Sequence, residues 1–223
     1  MSLRCPFPHV GRRSRKSDVS GREELLNTAI LLFAERGVAN TTIAQIAAAG
    51  KVTPAMVHYW FDTRENLYDA VANERIVPLI DAVWTPVDFE NDPILDLVRG
   101  LMQRMFAMTI STPWLPSLWS REVIQMGGLL RERVLSRISP EPSLAFRQKI
   151  AQAQARGEIN PDIEPELLFT SMLSLVMLPQ ASESIWCQLH FNGRVLSTRQ
   201  IENHTIALLM TGLRANQPQG GAR

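Results

Sequence analysis

The stretch from Thr41 to Leu67, TTIAQIAAAGKVTPAMVHYWFDTRENL, constrains this chain most, because its caps and apolar spacing fit two short helices, a tight turn and the start of a third. Thr41 and Thr42 are N-cap types directly ahead of Ile43, Ile46 and Ala47, an i, i+3, i+4 apolar stripe that ends at Gly50. After Lys51 and Val52, Thr53 is a second N-cap residue. Pro54 follows at the first helical position, where its missing N–H costs nothing. Val52, Val57 and Phe61 can pack inward on Ile43 and Ile46, so Pro54, Ala55, Met56, His58 and Tyr59 point elsewhere. A unit of this shape lays its second helix in the major groove of DNA, and those outward groups are the candidate readers of base edges.

Upstream, residues 22–36 form a longer amphipathic helix with Leu25, Ala29, Leu32 and Phe33 on one face. Ser20 is placed to cap it in a box with Glu23, and Gly37 closes it. With LLFAERG, TTIAQIA, VTPAMVHYWF and TRENL in place, residues 22–70 resemble the DNA-binding domain of the TetR family of transcriptional regulators. The resemblance implies an all-α chain: a three-helix helix-turn-helix domain, then a helical ligand-binding and dimerisation domain. The implied DNA-contacting set adds Thr42, Gln45, Lys51, Thr53 and Arg64 to the outward residues of the second helix. The chain departs from the pattern at three places. Lys51 stands where the family usually has glycine, and a left-handed backbone there costs roughly 1 kcal/mol. His58 replaces a frequent tyrosine; it fits either a base or phosphate contact or packing on the next helix. Arg64 replaces lysine and keeps the charge for a phosphate beside a helix N-terminus.

At 223 residues, 45% hydrophobic and 20% charged, the chain can bury a sizeable core. Its formal net charge of +1 says nothing about nucleic acid, but the distribution does. Over 4–22, Arg4, Arg12, Arg13, Arg15, Lys16 and Arg22 stand against Asp18 alone, and the basic arm at 1–19 fits the minor groove, the phosphates, or an unstructured tail. Cys5 and Cys187 lie in unrelated contexts, so neither a zinc site nor a disulfide framework is indicated, and a reducing cytoplasm fits. No apolar run reaches the roughly 18 residues of a membrane span, and no signal-peptide segment precedes the first helix.

The domain plan is therefore an arm at 1–19, the helix-turn-helix domain at 20–68, a helical second domain at 69–215 and a polar tail at 216–223. Helix four is expected from about Arg64 to about Trp84, ended or kinked by Pro78, and is the natural lever between the domains. Further helices are expected at 93–110, 115–125, 129–138, 144–156, 165–178 and 198–214, whereas 182–195 reads as helix or irregular flap. The helices at 167–178, bounded by Pro165 and Pro179, and 198–214 are apolar around much of their circumference. They are either central core helices or a four-helix dimer interface carrying Leu168, Met172, Leu175, Ile201, Thr205, Leu208 and Gly212.

A pocket is suggested by Met102, Met105, Phe106, Met108, Trp114, Trp119, Met126 and Trp186, large adaptable side chains that read equally as ordinary core. Arg121, Glu122 and His190 are candidate polar groups beside it, or plain surface charges. No metal, cofactor or catalytic pattern emerges: Glu158, Asp162, Glu164 and Glu166 cluster around Pro161 and Pro165 as cap and loop charges, and no nucleophile elbow or phosphate loop is present. The reading is a non-enzymatic homodimeric regulator, a repressor released from a pseudo-palindromic operator by a hydrophobic small molecule. The alternative is an architectural DNA-binding protein without an effector.

Overall fold

The computed structural model describes residues 15–189 and 195–215, and among them the chain is all helical, with no strand. The reading head comprises α1 (Arg15–Arg36), α2 (Ile43–Ala49), α3 (Pro54–Phe61) and the start of α4 (Arg64–Val71). The second region holds α5 (Val77–Trp84), α6 (Ile94–Ser111), α7 (Leu115–Trp119), α8 (Arg131–Leu135), α9 (Glu141–Ala155), α10 (Pro165–Ala181), α11 (Glu183–Leu189) and α12 (Thr198–Leu213). No helix among the described residues is long and apolar enough to cross a membrane.

Helix α1 begins at Arg15, not near Arg22, so Ser20 lies inside it and caps nothing; its hydroxyl donates to Glu24 Oε1 at 3.1 Å. The helix ends as expected at Gly37, whose φ of 86° is a conformation that few other residues adopt. Leu25, Leu26, Ala29, Ile30 and Phe33 pack on Ile46, Val57, Phe61, Leu67 and Tyr68 to make the first core. A second core gathers α6, α9, α10 and α12 around Leu101, Met102, Phe106, Phe146, Ile150, Met172 and Val176. Each such fully buried side chain contributes about 1.5–3 kcal/mol relative to exposure.

Pro78 neither ends nor sharply breaks helix four. The chain widens into a π-helical turn over Ala72–Ile76, where the Val77 N–H reaches back to the Ala72 carbonyl, and then continues as α5. Proline has no N–H to give the carbonyl four residues earlier. That carbonyl, Glu74 O, accepts from Arg75 Nη1 at 3.0 Å instead. The same arginine donates through Nε to Asn27 at 3.0 Å and pairs with Glu23, while Glu74 accepts two hydrogen bonds from Arg22, at 2.7 and 2.6 Å. These pairs fasten α1 to the π turn. Pro179 likewise fails to end α10, which runs on to Ala181; Gln180 Nε2 donates to the Val176 carbonyl at 2.7 Å and braces the last turn. The α-helical part of the segment expected at 129–138 is only Arg131–Leu135, and the described part of 182–195 is the helix Glu183–Leu189 followed, after a gap in the description, by non-helical residues.

The turn between α2 and α3 explains the displaced glycine. Lys51 N–H donates to Ala48 O at 3.2 Å and Val52 N–H to Ala47 O at 2.9 Å, a Schellman cap with Lys51 in the left-handed position at φ 55°. Gly50 has an ordinary φ of −78°; a Cβ there would lie 2.6 Å from Leu25 Cδ1. Glycine is thus required at 50 by close packing on α1, and the left-handed conformation falls on lysine.

Two stability predictions follow from these joints. Gly50→Ala should destabilise the chain by about 1–3 kcal/mol, since Leu25 is buried and has nowhere to move. Lys51→Gly should stabilise it by about 1 kcal/mol, raising the melting temperature by about 2–4 °C; both are read by thermal melting, and equal signs at the two positions would contradict the division of labour. The second concerns acid. Hydrogen bonds from Arg22 hold the Glu74 carboxyl below the ordinary glutamate value of 4.5, against the opposing effect of burial. A depressed folded value stabilises the protein above the unfolded value and loses that contribution as pH falls through the folded one. Glu74→Gln should therefore melt below wild type at neutral pH, with the difference shrinking as pH is lowered past 4.5.

Candidate nucleic-acid interface and apolar cavity

The exposed face of the reading head is built by its caps. Thr42 caps α2, accepting from Gln45 N–H at 3.2 Å while its own N–H donates to Gln45 Oε1 at 2.8 Å, so these two candidate contacts are held in one reciprocal box on the surface. Thr53 caps α3 through Met56 N–H, and Thr63 caps α4 through Asn66 N–H at 3.1 Å. Val57 and Phe61 turn inward, which leaves Pro54, Ala55, His58 and Tyr59 exposed and Met56 half-buried. Tyr59 is 70% exposed, so its ring is free to meet a partner.

His58 does not pack on α4: its ring Nδ1 lies 3.0 Å from the Asp62 carbonyl at the end of its own helix, and the side chain is exposed. Asp62 takes a positive φ of 61°, and Thr63 N–H closes a tight turn on Phe61 O at 2.7 Å. Arg64 is exposed but engaged: its Nη2 donates to Thr41 O at 3.0 Å and its guanidinium stands 5.8 Å from the Tyr68 ring centre. It braces the turn before α2 against the start of α4. Lys51 is exposed on the turn itself. Arg15 and Lys16 fall in the first turn of α1, whereas Arg12 and Arg13 lie outside the described residues.

On the far side of helix four lies a cavity of about 460 Å³. Ile80, Val83 and Trp84 of α5, Met105 and Met108 of α6, Leu115 and Trp119 of α7, and Phe169, Leu173 and Met177 of α10 form its apolar walls. Trp84 and Phe169 lie with ring centres 4.8 Å apart, tilted by 32°. The polar lining is hydroxyl groups of Ser139, Ser143 and Thr170 and one carboxylate, Glu166, which faces Arg147 at 3.7 Å. Among the described residues, no lysine, arginine or histidine lines this cavity.

Of the residues singled out as a pocket by sequence, Met105, Met108 and Trp119 do line it. Met102 and Phe106 face away into the second core, and Trp114 packs on the core of the reading head. Met126 is 89% exposed on a turn, and Trp186 borders a separate hollow with Leu178 and His204 between α10, α11 and α12. His190 lies outside the described residues. Arg121 and Glu122 leave the pocket altogether: Arg121 Nη1 donates to Glu35 O at 2.9 Å, and Glu122 turns into the junction with the reading head. The aromatic walls Trp84 and Phe169 were missed because they sit on helices assigned to the lever and to the dimer.

Leu168, Met172 and Thr205 are buried in their own subunit's core, which removes them from a surface for a second copy. Leu175 and Ile201 are half-buried, and Leu208 and Gly212 are exposed. Leu167 and Leu178 are also exposed on α10.

Residues 25–71 match the family described as "Bacterial regulatory proteins, tetR family". Over 200 residues, 89% of this chain and 93% of the relative, the sequence is 20% identical to the HTH-type transcriptional repressor KstR2 of Mycolicibacterium smegmatis. The fold is similar to that of the ketosteroid transcriptional regulator KstR2 of Mycobacterium tuberculosis, with a TM-score of 0.69 at 17% identity, covering 92% of this chain and 98% of that one. It is also similar to AibR, solved in complex with isovaleryl coenzyme A and operator DNA, with a TM-score of 0.64 at 20% identity over 85% of this chain and 98% of that one.

The exposed face predicts a division of effects. Tyr59→Ala should change which bases are preferred, at about 1–3 kcal/mol of discrimination. Arg64→Ala should weaken all duplexes alike and also lower the melting temperature, because it frees the Thr41 carbonyl. Selection from a random duplex pool, run beside thermal melting, checks both; a Tyr59→Ala head with unchanged preference would remove this ring from base reading.

Proposed function

We propose that this chain, a DNA-binding transcriptional regulator of the TetR family, is a homodimeric cytoplasmic repressor that leaves a pseudo-palindromic operator when a small apolar molecule enters its cavity. The observation that carries the reading is the course of helix four. It starts three residues after α3, which offers Tyr59 outward, and it ends as the wall of the cavity at Ile80, Val83 and Trp84. A shift of that wall moves the reading helix, and in a dimer whose half-sites lie about 34–36 Å apart it spoils both contacts together. The exposed Leu167 and Leu178 on α10 and Leu208 and Gly212 on α12 support pairing with a second copy through these helices.

The lining also supports an effector class. Apolar walls with a few hydroxyl groups and one carboxylate suit a flat neutral or cationic molecule, its polar end toward Glu166. The ketosteroid named for the mycobacterial regulator is of the neutral kind. A coenzyme A thioester carries phosphates for which this lining offers no lysine or arginine.

The test is linkage. With an operator duplex selected from a random pool, a neutral tetracyclic ketone such as androstenedione should quench or shift tryptophan fluorescence and lower operator affinity by about 10–100-fold. The duplex must weaken the ketone by the same factor. Binding of the ketone with equal affinity in the presence and absence of duplex would remove the regulatory reading of the cavity. Sequence-tolerant binding with bending of the duplex would mark an architectural protein instead. Affinity should also fall steeply with salt, and removing residues 1–14 should flatten the slope by up to about 0.9 per lost phosphate contact if the basic arm lies on DNA.

A further inference from the structure

We infer that Glu122 is a positioning residue that joins the state of the cavity to the seating of α2 and α3, an inference that rests on the repressor reading above. The run from Leu115 through the π turn Ser120–Ile124 faces two ways. Leu115 and Trp119 wall the cavity, whereas Leu118 and Val123 are buried in the core of the reading head. One turn after Trp119, the Glu122 side chain enters the junction, and the residue is only 5% exposed.

Both carboxylate oxygens are used, and both by backbone. Oε1 accepts from Val38 N–H at 2.8 Å, in the turn that links α1 to α2, and Oε2 accepts from Leu129 N–H at 3.1 Å, in its own region. Charge-assisted bonds of this kind are short and directional, and this one crosses between the two halves of the fold. The carboxylate is buried and bonded at both oxygens, and the Gly128 backbone lies so close to the Glu122 main chain that a Cβ there would come 2.2 Å from its carbonyl oxygen. Displacing the Glu122 carboxylate therefore either breaks its bond to the Val38 N–H or carries the turn after α1 with it.

That turn leads to the DNA face through further hydrogen bonds. Thr41 N–H donates to Val38 O at 3.2 Å and Thr41 Oγ1 to Gly37 O at 2.8 Å. Thr41 O in turn accepts from Arg64, the first residue of α4 after the reading helix. A continuous path runs from Trp119 in the cavity wall through Glu122, Val38 and Thr41 to Arg64. It is separate from helix four, which reaches the same place through the other wall.

The experiment uses the full chain labelled with ¹⁵N, whose five tryptophans give five indole N–H signals, with Trp119 assigned by Trp119→Phe. On saturation with a duplex selected by the wild type, the Trp119 signal should move although the ring touches no DNA. In Glu122→Gln, which keeps one acceptor but presents an amide to the second backbone N–H, duplex affinity should stay within about tenfold of wild type, as for one weakened hydrogen bond. The Trp119 response should fall to less than half. A full Trp119 response in Glu122→Gln would overturn the assignment, and so would a wild-type Trp119 that ignores the duplex. The latter does not depend on Glu122→Gln, so it decides the matter even if that variant fails to fold. Failure of the wild type to select any duplex would instead remove the repressor reading, and the inference with it.

Discussion

The structure depends on one helix crossing from one apolar core to another with a proline in its path. Leu67, Val71 and Ile76 belong to the core of the reading head and Val83 to the core of the second region, so neither half is complete without the run from Arg64 to Trp84. Pro78 leaves the Glu74 carbonyl without its helical donor, and the chain answers with a wider turn and the guanidinium of Arg75. That defect is then put to use. The side chains of Glu74 and Arg75, turned toward α1, make the ion pairs that fix the long first helix against the lever.

A second run repeats the pattern. The helix from Leu115 also passes from cavity wall to head core, and it too opens into a π turn at the crossing, over Ser120–Ile124. Wide turns of this sort shift the register of side chains on a helix by a fraction of a turn, which is why they gather at functional sites. Here each allows one helix to serve two differently oriented surroundings. In the first run the polar residues released at the wide turn grip α1 from outside; in the second a carboxylate is turned inward to hold the backbone after α1. Helix α1 is thus held along its middle and again just past its C-terminal end.

The helix-turn-helix was legible because caps, proline and a short apolar stripe are local signals. The same holds for the left-handed Lys51 and the closing Gly37, where a single backbone position decides the outcome. The fate of Pro78 and Pro179 and the pocket walls were not legible in this way: at the two prolines a nearby side chain, Arg75 on the Glu74 carbonyl and Gln180 on the Val176 carbonyl, takes the place of a backbone donor, and the wall at Trp84 depends on the distant Phe169. Periodicity said that the helices over 167–178 and 198–214 were apolar on several sides, but not which side met its own subunit. Burial assigns Leu168, Met172 and Thr205 inward and leaves Leu208 and Gly212 out. In sequence Glu122 reads as a polar group beside the pocket or a plain surface charge; its place in the junction depends on the approach of the Val38 N–H, which no local pattern announces.

The separation of Gly50 from the left-handed site has a consequence for how the head meets DNA. Where one glycine serves both the close approach to the first helix and the unusual backbone angle, the tip of the turn carries no side chain. In this chain the two demands fall on neighbouring residues, and the tip carries an ammonium group on a four-carbon stem whose root is fixed by the Schellman cap. The recognition helix itself has no lysine or arginine. A small loss in folding free energy thereby roots a positive charge at the left-handed tip of the turn, where the Schellman cap fixes the backbone that carries it.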